Sequence, residues 1–242
     1  MRDPKDTDDM NHAGKADVSG IAPPAAGTAS TTKRPVDTEK YLEACQTEFW
    51  RNVLRAEMEY LLQHLEGSSE VLSIGCGPAI IESGLSERGF RVTGLDVSQE
   101  ALACAPDRIR TIVGRAEDMD FPESSFDAVI YVASLQFIED YRKAMEKTAR
   151  VLRSAGKLIV MLLNPQSAFY KEKSQDPASY VQKIRHTNLA EIESAIAEHF
   201  DIQTEYFMGV RGGNLFKSQA ADEACLYIIR GTRKRRSEGQ EA

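Results

Sequence analysis

A glycine-rich turn is the first feature of this sequence that could do chemistry. The apolar run 71–74 leads directly into Gly75, Cys76 and Gly77, and a helical pattern begins after them. Such a turn brings backbone N–H groups close to a ligand at the start of a helix. Turns of this kind also end many strands for purely structural reasons, so the surrounding residues decide between the two roles.

An acidic residue follows the turn at the distance that nucleotide-binding folds use. About 20 residues further on, a second apolar run ends in Asp96, whose carboxylate could accept hydrogen bonds from both hydroxyls of an adenosine ribose. The alternative role for Asp96, capping the next helix, can be filled by Ser98. The two features together indicate a site for an adenosine-containing ligand.

Two common nucleotide cofactors are disfavoured by the same residues. The dinucleotide fingerprint G-x-G-x-x-G/A needs a small residue where this chain has Ile80. The nucleoside triphosphate loop G-x-x-x-x-G-K-[ST] is not matched at the Gly156-Lys157 pair, because Val151 stands at the first glycine and Leu158 at the hydroxyl position. NAD and ATP are therefore not the expected ligands.

Short β-branched or apolar runs alternate with helical patterns through the middle of the chain. The expected strands cover residues 70–74, 91–95, 111–113, 128–132 and 157–163, and the expected helices between them cover residues 79–87, 99–104 and 141–152. Strands that alternate with helices form βαβ units, in which helices cover both faces of a parallel sheet. The glycine turn and Asp96 then follow the first and second strands of this sheet.

The segments on either side of this core have other patterns. Residues 38–65 show helical spacing that indicates one long or two short amphipathic helices. The polar segment 164–186 is expected to be irregular or weakly helical, which is typical of lids over sites. After a helix over 189–200, residues 202–208 and 224–229 predict a terminal antiparallel hairpin joined by a loop.

Four motifs in the span 66–163 resemble those of the class I methyltransferases that use S-adenosylmethionine (AdoMet). Residues 71–79 (VLSIGCGPA) resemble the family's first motif and residues 94–98 (GLDVS) its second. Residues 114–122 with 125–127 resemble the adenine-binding loop, and residues 150–158 resemble the turn into strand five. The resemblance is to the small-molecule methyltransferase type. It implies an α/β fold with a doubly wound, mostly parallel seven-stranded sheet and an antiparallel C-terminal hairpin.

The resemblance also implies where AdoMet would bind. Gly75, Cys76 and Gly77 would line its methionine and ribose, Asp96 would hold the ribose, and Val97 would pack on the adenine. The adenine edge and the methionine side would be contacted by Ala116, Glu117, Val132 and Ala133. Cys76 needs only to be small and apolar there, and an inert thiol is expected.

Three residues depart from the family's pattern. Ser73 stands where the family has an acidic residue near the methionine ammonium, so that charge is lost or supplied elsewhere. Arg115 replaces the aspartate that accepts from the adenine amino group, which leaves that role to Glu117, Asp118 or a water molecule. Gln136 follows strand four where many relatives carry histidine or glutamate, so no general base is expected there.

The acceptor wall is expected from the segments that relatives use for it. The candidates are Tyr41, Gln136, Tyr170 and Arg211, with Trp50 and Phe169 beside them. Methyl transfer from a sulfonium is an in-line displacement that a site can accelerate by alignment and desolvation. No catalytic residue is therefore assigned.

Composition narrows the class of acceptor. The net charge of -7 disfavours a nucleic-acid or membrane-surface binder. The cysteines and histidines are scattered and show no metal-binding spacing, so no metal is expected. A small-molecule acceptor is the leading hypothesis. Protein or RNA methylation, a non-catalytic AdoMet-binding protein, and aminopropyl transfer are the alternatives.

The domain organisation follows from these patterns. Residues 1–36 are expected to form a disordered leader, 37–231 a single methyltransferase domain, and 232–242 a basic flexible tail. Within the domain, the expected parts are a helical cap (37–66), the AdoMet-binding core (67–163) and the insert with the hairpin (164–231). No apolar run approaches the roughly 18 residues that span a bilayer. The polar first residues lack a secretory signal, which predicts a cytoplasmic protein, monomeric or homodimeric.

Overall fold

The computed structural model describes residues 35–234, with side chains for Thr38 and residues 41–234. One sheet of eight strands lies at its centre, in the order β3-β2-β1-β4-β5-β8-β6-β7. The first five strands in this order, from β3 to β5, pair in parallel with one another. Strands β8, β6 and β7 are antiparallel to their neighbours. The strands are β1 Glu70–Ile74, β2 Arg91–Asp96, β3 Arg110–Val113, β4 Phe126–Val132, β5 Leu152–Leu163, β6 Phe200–Arg211, β7 Asn214–Phe216 and β8 Ala224–Arg233.

The predicted α/β fold is confirmed, and the sheet has one strand more than the seven expected. The extra strand is β7, which forms where the sequence indicated a loop. Gly212 and Gly213 both have positive φ angles, of 57° and 78°, which glycine adopts without strain. They reverse the chain so tightly that Asn214–Phe216 pairs with the end of β6.

The central strands are buried on both faces because helices cover the sheet on each side. Ala128, Val129, Ile130 and Tyr131 of β4 are all fully buried. The hydroxyl of Tyr131 has a partner in the Thr148 hydroxyl at 2.7 Å, so this buried phenol is paired. Continuous burial of this kind is typical of parallel strands.

Most of the helices begin at a polar side chain that caps the first turn, and they pack their apolar faces on the sheet. They are α1 Pro35–Cys45, α2 Glu48–His64, α3 Ile80–Ser86, α4 Gln99–Leu102, α5 Tyr141–Val151, α6 Ala168–Lys173 and α7 Leu189–Ala197, with 3-10 turns at Ala116–Asp118, Leu135–Phe137 and Tyr180–Lys183. The helical pattern over 38–65 forms two helices, because Thr47 caps a new one. None of the helices within 35–234 is long and apolar enough to cross a membrane.

The insert after β5 is more ordered than the sequence indicated. The Asn164 amide donates to the backbone carbonyls of Ala221 and Ala224, both at 2.7 Å, which fixes the insert to the start of β8. Ser167 then caps α6. Phe169, named beside the acceptor-wall candidates, is buried because α6 turns it toward the core.

The two ends of the chain test the predicted boundaries only in part. Helix α1 starts at Pro35, and β8 continues to Arg233, two residues beyond the predicted domain end. The Arg233 guanidinium donates to the Leu152 carbonyl, so this part of the basic run belongs to the sheet. The rest of the predicted leader, residues 1–34, and of the tail, 235–242, lies outside the described residues.

Candidate active site

Two cavities lie where β1, β2 and β4 end at the same edge of the sheet. The large cavity has a volume of about 890 Å³ and lies between the sheet and helices α1, α2 and α6. The small cavity has a volume of about 310 Å³ and lies beyond the end of β2. Gly75 lines both, so the two cavities meet at the glycine turn. A ligand with two arms could occupy them together.

Asp96 holds the glycine turn in place. Its Oδ2 accepts from the Gly77 backbone N–H and its Oδ1 from the Ser98 backbone N–H, each at 2.8 Å. Burial raises the pKa of Asp96, and the backbone N–H groups of Ser98, Gly77 and Val97 oppose that rise. A carboxylate has about four lone-pair sites, so it can still accept another hydrogen bond, and Asp96 lines the small cavity. The carboxylate can therefore bind a ribose while it supports the turn.

The thiol of Cys76 lies between the turn and β2. A Cβ atom added to Gly94 would be only 2.5 Å from Cys76 Sγ, which shows how closely the strand passes the turn. Burial, followed by the nearby carboxyls of Glu82 and Asp96, raises the pKa of this thiol far above its ordinary value. Cys76 is consequently a neutral wall of the large cavity.

Glu82 places a carboxylate beside Ser73, which stands where the family has an acidic residue. The Ser73 hydroxyl donates to Glu82 Oε1 at 2.5 Å, and both residues line the large cavity. Glu82 projects from the first turn of α3 and is only 2 % exposed. Burial raises its pKa to about 7, with the Ser73 hydrogen bond opposing. Of the two expectations for this charge, that it is lost or supplied elsewhere, the structure favours the second, with Glu82 on the next helix.

Arg115 shapes the small cavity by holding Glu117. Its guanidinium pairs with Glu117 and also contacts Glu139 at 3.2 Å. Glu117 is buried and lines the cavity with Ala116 and Val97. Asp118, the other proposed adenine partner, is exposed and pairs with Lys143 at 2.8 Å. Of the two carboxylates considered for the adenine, only Glu117 faces the site.

The end of β4 closes the floor of the large cavity. The Ser134 hydroxyl donates to the Ile74 carbonyl at 2.6 Å, which ties β4 to β1 beside the glycine turn. All ten residues expected to bind the cofactor line one or both cavities: Ser73, Gly75, Cys76, Gly77, Val132 and Ala133 the large one, and Gly75, Asp96, Val97, Ala116 and Glu117 the small one. Their contacts with a bound cofactor stay a prediction.

Some of the residues proposed for the acceptor wall line the large cavity, and others do not. Tyr41 lines the large cavity, together with Trp50 and Phe169. Tyr170 is half-buried on the same helix as Phe169 but does not line it. The expected wall is therefore formed in part, by aromatic residues of α1, α2 and α6.

Gln136 and Arg211 do not reach the large cavity. The Gln136 amide donates to the carbonyls of Leu163 and His186 and accepts from the Leu163 N–H, so its polar atoms hold β5 to the insert. The Arg211 side chain is 76 % exposed and pairs with Glu223 at 2.8 Å. Both residues have structural partners instead of a ligand.

Sequence analysis missed Glu57, which projects from α2 into the large cavity. It lies four residues after Val53 and four before Leu61, within the apolar face of the helix. Burial raises its pKa to about 8. A carboxylate at a core position of an amphipathic helix is the signal that could have identified it.

The region that contains the four motifs matches known proteins. Residues 72–160 match the family model described as "Methyltransferase domain". An uncharacterized protein of Methanocaldococcus jannaschii is 30 % identical over 149 residues, covering 59 % of this chain and 70 % of that protein. The chain belongs to the class I AdoMet-dependent methyltransferases. AdoMet is the cofactor of this enzyme family, and the joined cavities with their buried carboxylates fit it.

Two further comparisons place this methyltransferase among its relatives. The demethylmenaquinone methyltransferase of Corynebacterium glutamicum (strain R) is 31 % identical over 124 residues, and this chain spans about half of its length (52 %). A solved SAM-dependent methyltransferase from Thermotoga maritima, described as a possible histamine N-methyltransferase, superimposes with a TM-score of 0.70 at 19 % identity. That comparison covers 83 % of this chain and 97 % of the other, and it supports the fold alone.

Proposed function

We propose that this enzyme transfers the methyl group of AdoMet to a small-molecule acceptor that binds in the large cavity. The observation that carries the proposal is the junction of the two cavities at Gly75. One cavity offers a carboxylate suited to a ribose, and the other leaves space beyond the glycine turn. A cofactor that spans the junction would direct its methyl group into an enclosed space.

The adenosine half of AdoMet would occupy the small cavity. Asp96 would accept from the ribose hydroxyls, since its backbone hydrogen bonds do not use all of its lone pairs. Val97 and Ala116 supply apolar surface for the adenine ring. Glu117 would accept from the adenine amino group, with Arg115 keeping its carboxylate in position.

The methionine half would lie along the glycine turn in the large cavity. Its ammonium would bind Glu82, which Ser73 orients. A cation at this point stabilises the ionised form, so binding should lower the pKa of Glu82 from about 7. Val132 and Ala133 would close the opposite side.

The residues of the large cavity would act chiefly by alignment and exclusion of water. When bound, AdoMet supplies a methyl carbon that its positively charged sulfur makes electrophilic. Aromatic walls from Tyr41, Trp50 and Phe169 would hold the acceptor in line with that carbon. The same walls keep water away from a reaction in which charge is dispersed.

The alternatives have less support. A cavity lined by α1, α2 and α6 favours a small acceptor, and the net charge of -7 disfavours RNA. The Corynebacterium glutamicum relative is also named for a small molecule, demethylmenaquinone. A non-catalytic protein was suggested by Ser73 and Arg115, but Glu82 and Glu117 supply the carboxylates that those substitutions remove. The cytoplasmic location and the oligomeric state stay predictions.

The test is a panel of small amines, phenols, thiols and carboxylates incubated with AdoMet and the enzyme. Formation of S-adenosylhomocysteine together with a product one methyl group heavier supports the proposal. The Asp96→Ala variant should lose turnover, whereas Asp120→Ala, at an exposed site, is the matched control. AdoMet binding without turnover of any small acceptor would contradict the proposed function.

A further inference from the structure

The carboxyl of Glu57 is buried in the large cavity without a partner. Its residue is 7 % exposed. Within the described part of the chain, no side chain or backbone group forms a hydrogen bond or ion pair with it. Glu82, by contrast, has Ser73. A buried carboxyl without a partner is costly, so one that lines a cavity is a candidate for binding a ligand.

The charges around Glu57 specify the kind of ligand. The titratable groups that face it or share the cavity with it are Tyr41 and Cys45 of α1, Tyr180 of the insert, Cys225 of β8, and Glu82 and Cys76 beside the glycine turn. None of these groups is cationic, and the described lining contains no lysine, arginine or histidine. Lys173 is not among the lining residues, and its ammonium lies 5.8 Å from the centre of the Phe169 ring. An anionic acceptor would therefore meet two carboxyls and no countercharge, whereas a cationic one would be stabilised.

The remaining walls suit an amine with an apolar body. Phe49, Trp50 and Phe169 surround the space next to Glu57, and aromatic faces attract cations as well as apolar groups. The indole Nε1 of Trp50 is also buried and has no acceptor among the described residues. A ligand that carries both an amino group and an apolar or aromatic part matches this surface.

We propose that Glu57 binds the amino group of the methyl acceptor and takes its proton, which makes the enzyme an amine N-methyltransferase. This inference rests on the proposed function. The ammonium form of the acceptor gives one proton to the Glu57 carboxylate and becomes a neutral amine. The nitrogen lone pair then forms a bond to the methyl carbon while the carbon–sulfur bond breaks. The electrons of that bond stay on sulfur, and the products are S-adenosylhomocysteine and an N-methylammonium.

The experiment compares acceptors of one shape and different chemistry. Phenethylamine, phenethyl alcohol, phenethyl mercaptan and hydrocinnamate are assayed for methylation, and each is titrated calorimetrically into the enzyme loaded with S-adenosylhomocysteine. The variant is Glu57→Gln, which has the shape of the protonated carboxyl. The matched control is Glu59→Gln, an exposed position on the same helix.

The expected result is methylation and binding of the amine, with hydrocinnamate the weakest ligand. Glu57→Gln should weaken amine binding about 10- to 100-fold, since it removes a charged hydrogen-bonding partner, and Glu59→Gln should not. S-adenosylhomocysteine affinity should be the same in all three proteins. The acidic limb of kcat/KM against pH, expected at or below about 8, should disappear in Glu57→Gln.

Two results would overturn parts of this account separately. Methylation of the alcohol or the mercaptan without the amine, or an amine affinity unchanged in Glu57→Gln, contradicts the role of Glu57 and leaves the proposed function standing. If no acceptor in this series or in the broader panel yields S-adenosylhomocysteine, the proposed function itself is contradicted.

Discussion

Glu57 should make the stability of the ligand-free enzyme depend on pH in a way that one substitution removes. Burial raises the pKa of this carboxyl from 4.5 to about 8 in the folded chain, so the folded state holds the proton more tightly than the unfolded state does. Stability is then greatest at and below the ordinary pKa of glutamate. It falls as the pH rises toward the raised pKa.

The size of the effect follows from the two pKa values. Each tenfold difference in proton affinity corresponds to about 1.4 kcal/mol, so ionisation of Glu57 should remove about 3–4 kcal/mol between about pH 5 and about pH 8. That is a large part of the roughly 5–15 kcal/mol that typical domains possess. Glu57→Gln cannot ionise and should lose this component.

The assay is urea unfolding of the wild type, Glu57→Gln and Glu59→Gln across that pH range. Glu82 also has a raised pKa, of about 7, and adds a fall of the same sign to all three curves. The difference between the wild type and Glu57→Gln isolates Glu57. If these two curves run parallel from acid to mildly alkaline pH, the carboxyl is not buried and unpaired as described, and the argument for an amine site fails with it.

Three further substitutions test other parts of the structure. Asp96→Ala should weaken AdoMet binding about 10- to 100-fold in a calorimetric titration, because it removes a charged acceptor for the ribose, and Asp96→Asn should lose less. Arg115→Ala should weaken adenosine binding several-fold by releasing Glu117, with the affinity measured in the same titration. Gly209→Ala would place a Cβ atom against the Phe216 ring, so unfolding in urea should show a loss of about 1–3 kcal/mol.

Each of these expectations has a definite contrary result. Unchanged AdoMet affinity in Asp96→Ala would remove this residue from the cofactor site. Equal adenosine affinity in Arg115→Ala would show that Glu117 needs no support from it. Wild-type stability of Gly209→Ala would mean that β7 does not pack on β6 as described.

The parts of the fold that depend on local patterns could be predicted from the sequence. The apolar run 71–74 predicted the glycine turn that follows it, and the run that ends in Asp96 predicted the second strand. Both patterns are local to a short piece of the sequence. The added strand β7 was not predicted, since it depends on how sharply Gly212 and Gly213 turn the chain back onto β6. Such pairing is decided by tertiary contact more than by propensity.

The acceptor side of the site was predicted less well. Gln136 and Arg211 have side chains that could bind a ligand, but only the folded structure shows that Leu163 and Glu223 already engage them. Glu82 was missed because it belongs to a helix that follows the motif by a few residues. Glu57 lies on a separate helix, and its position in the same cavity as the glycine turn depends on long-range packing that a single sequence does not reveal.

The central claim is that one cofactor spans both cavities and leaves an acceptor space beside Glu57. A crystal structure of the enzyme with S-adenosylhomocysteine tests it most directly. In that structure, we expect the adenine of the ligand in the small cavity beside Glu117 and its ribose hydroxyls on Asp96. We expect its ammonium on Glu82 and an open space between its sulfur and Glu57. An ammonium bound to Glu57, or a cofactor that fills the large cavity completely, would contradict it.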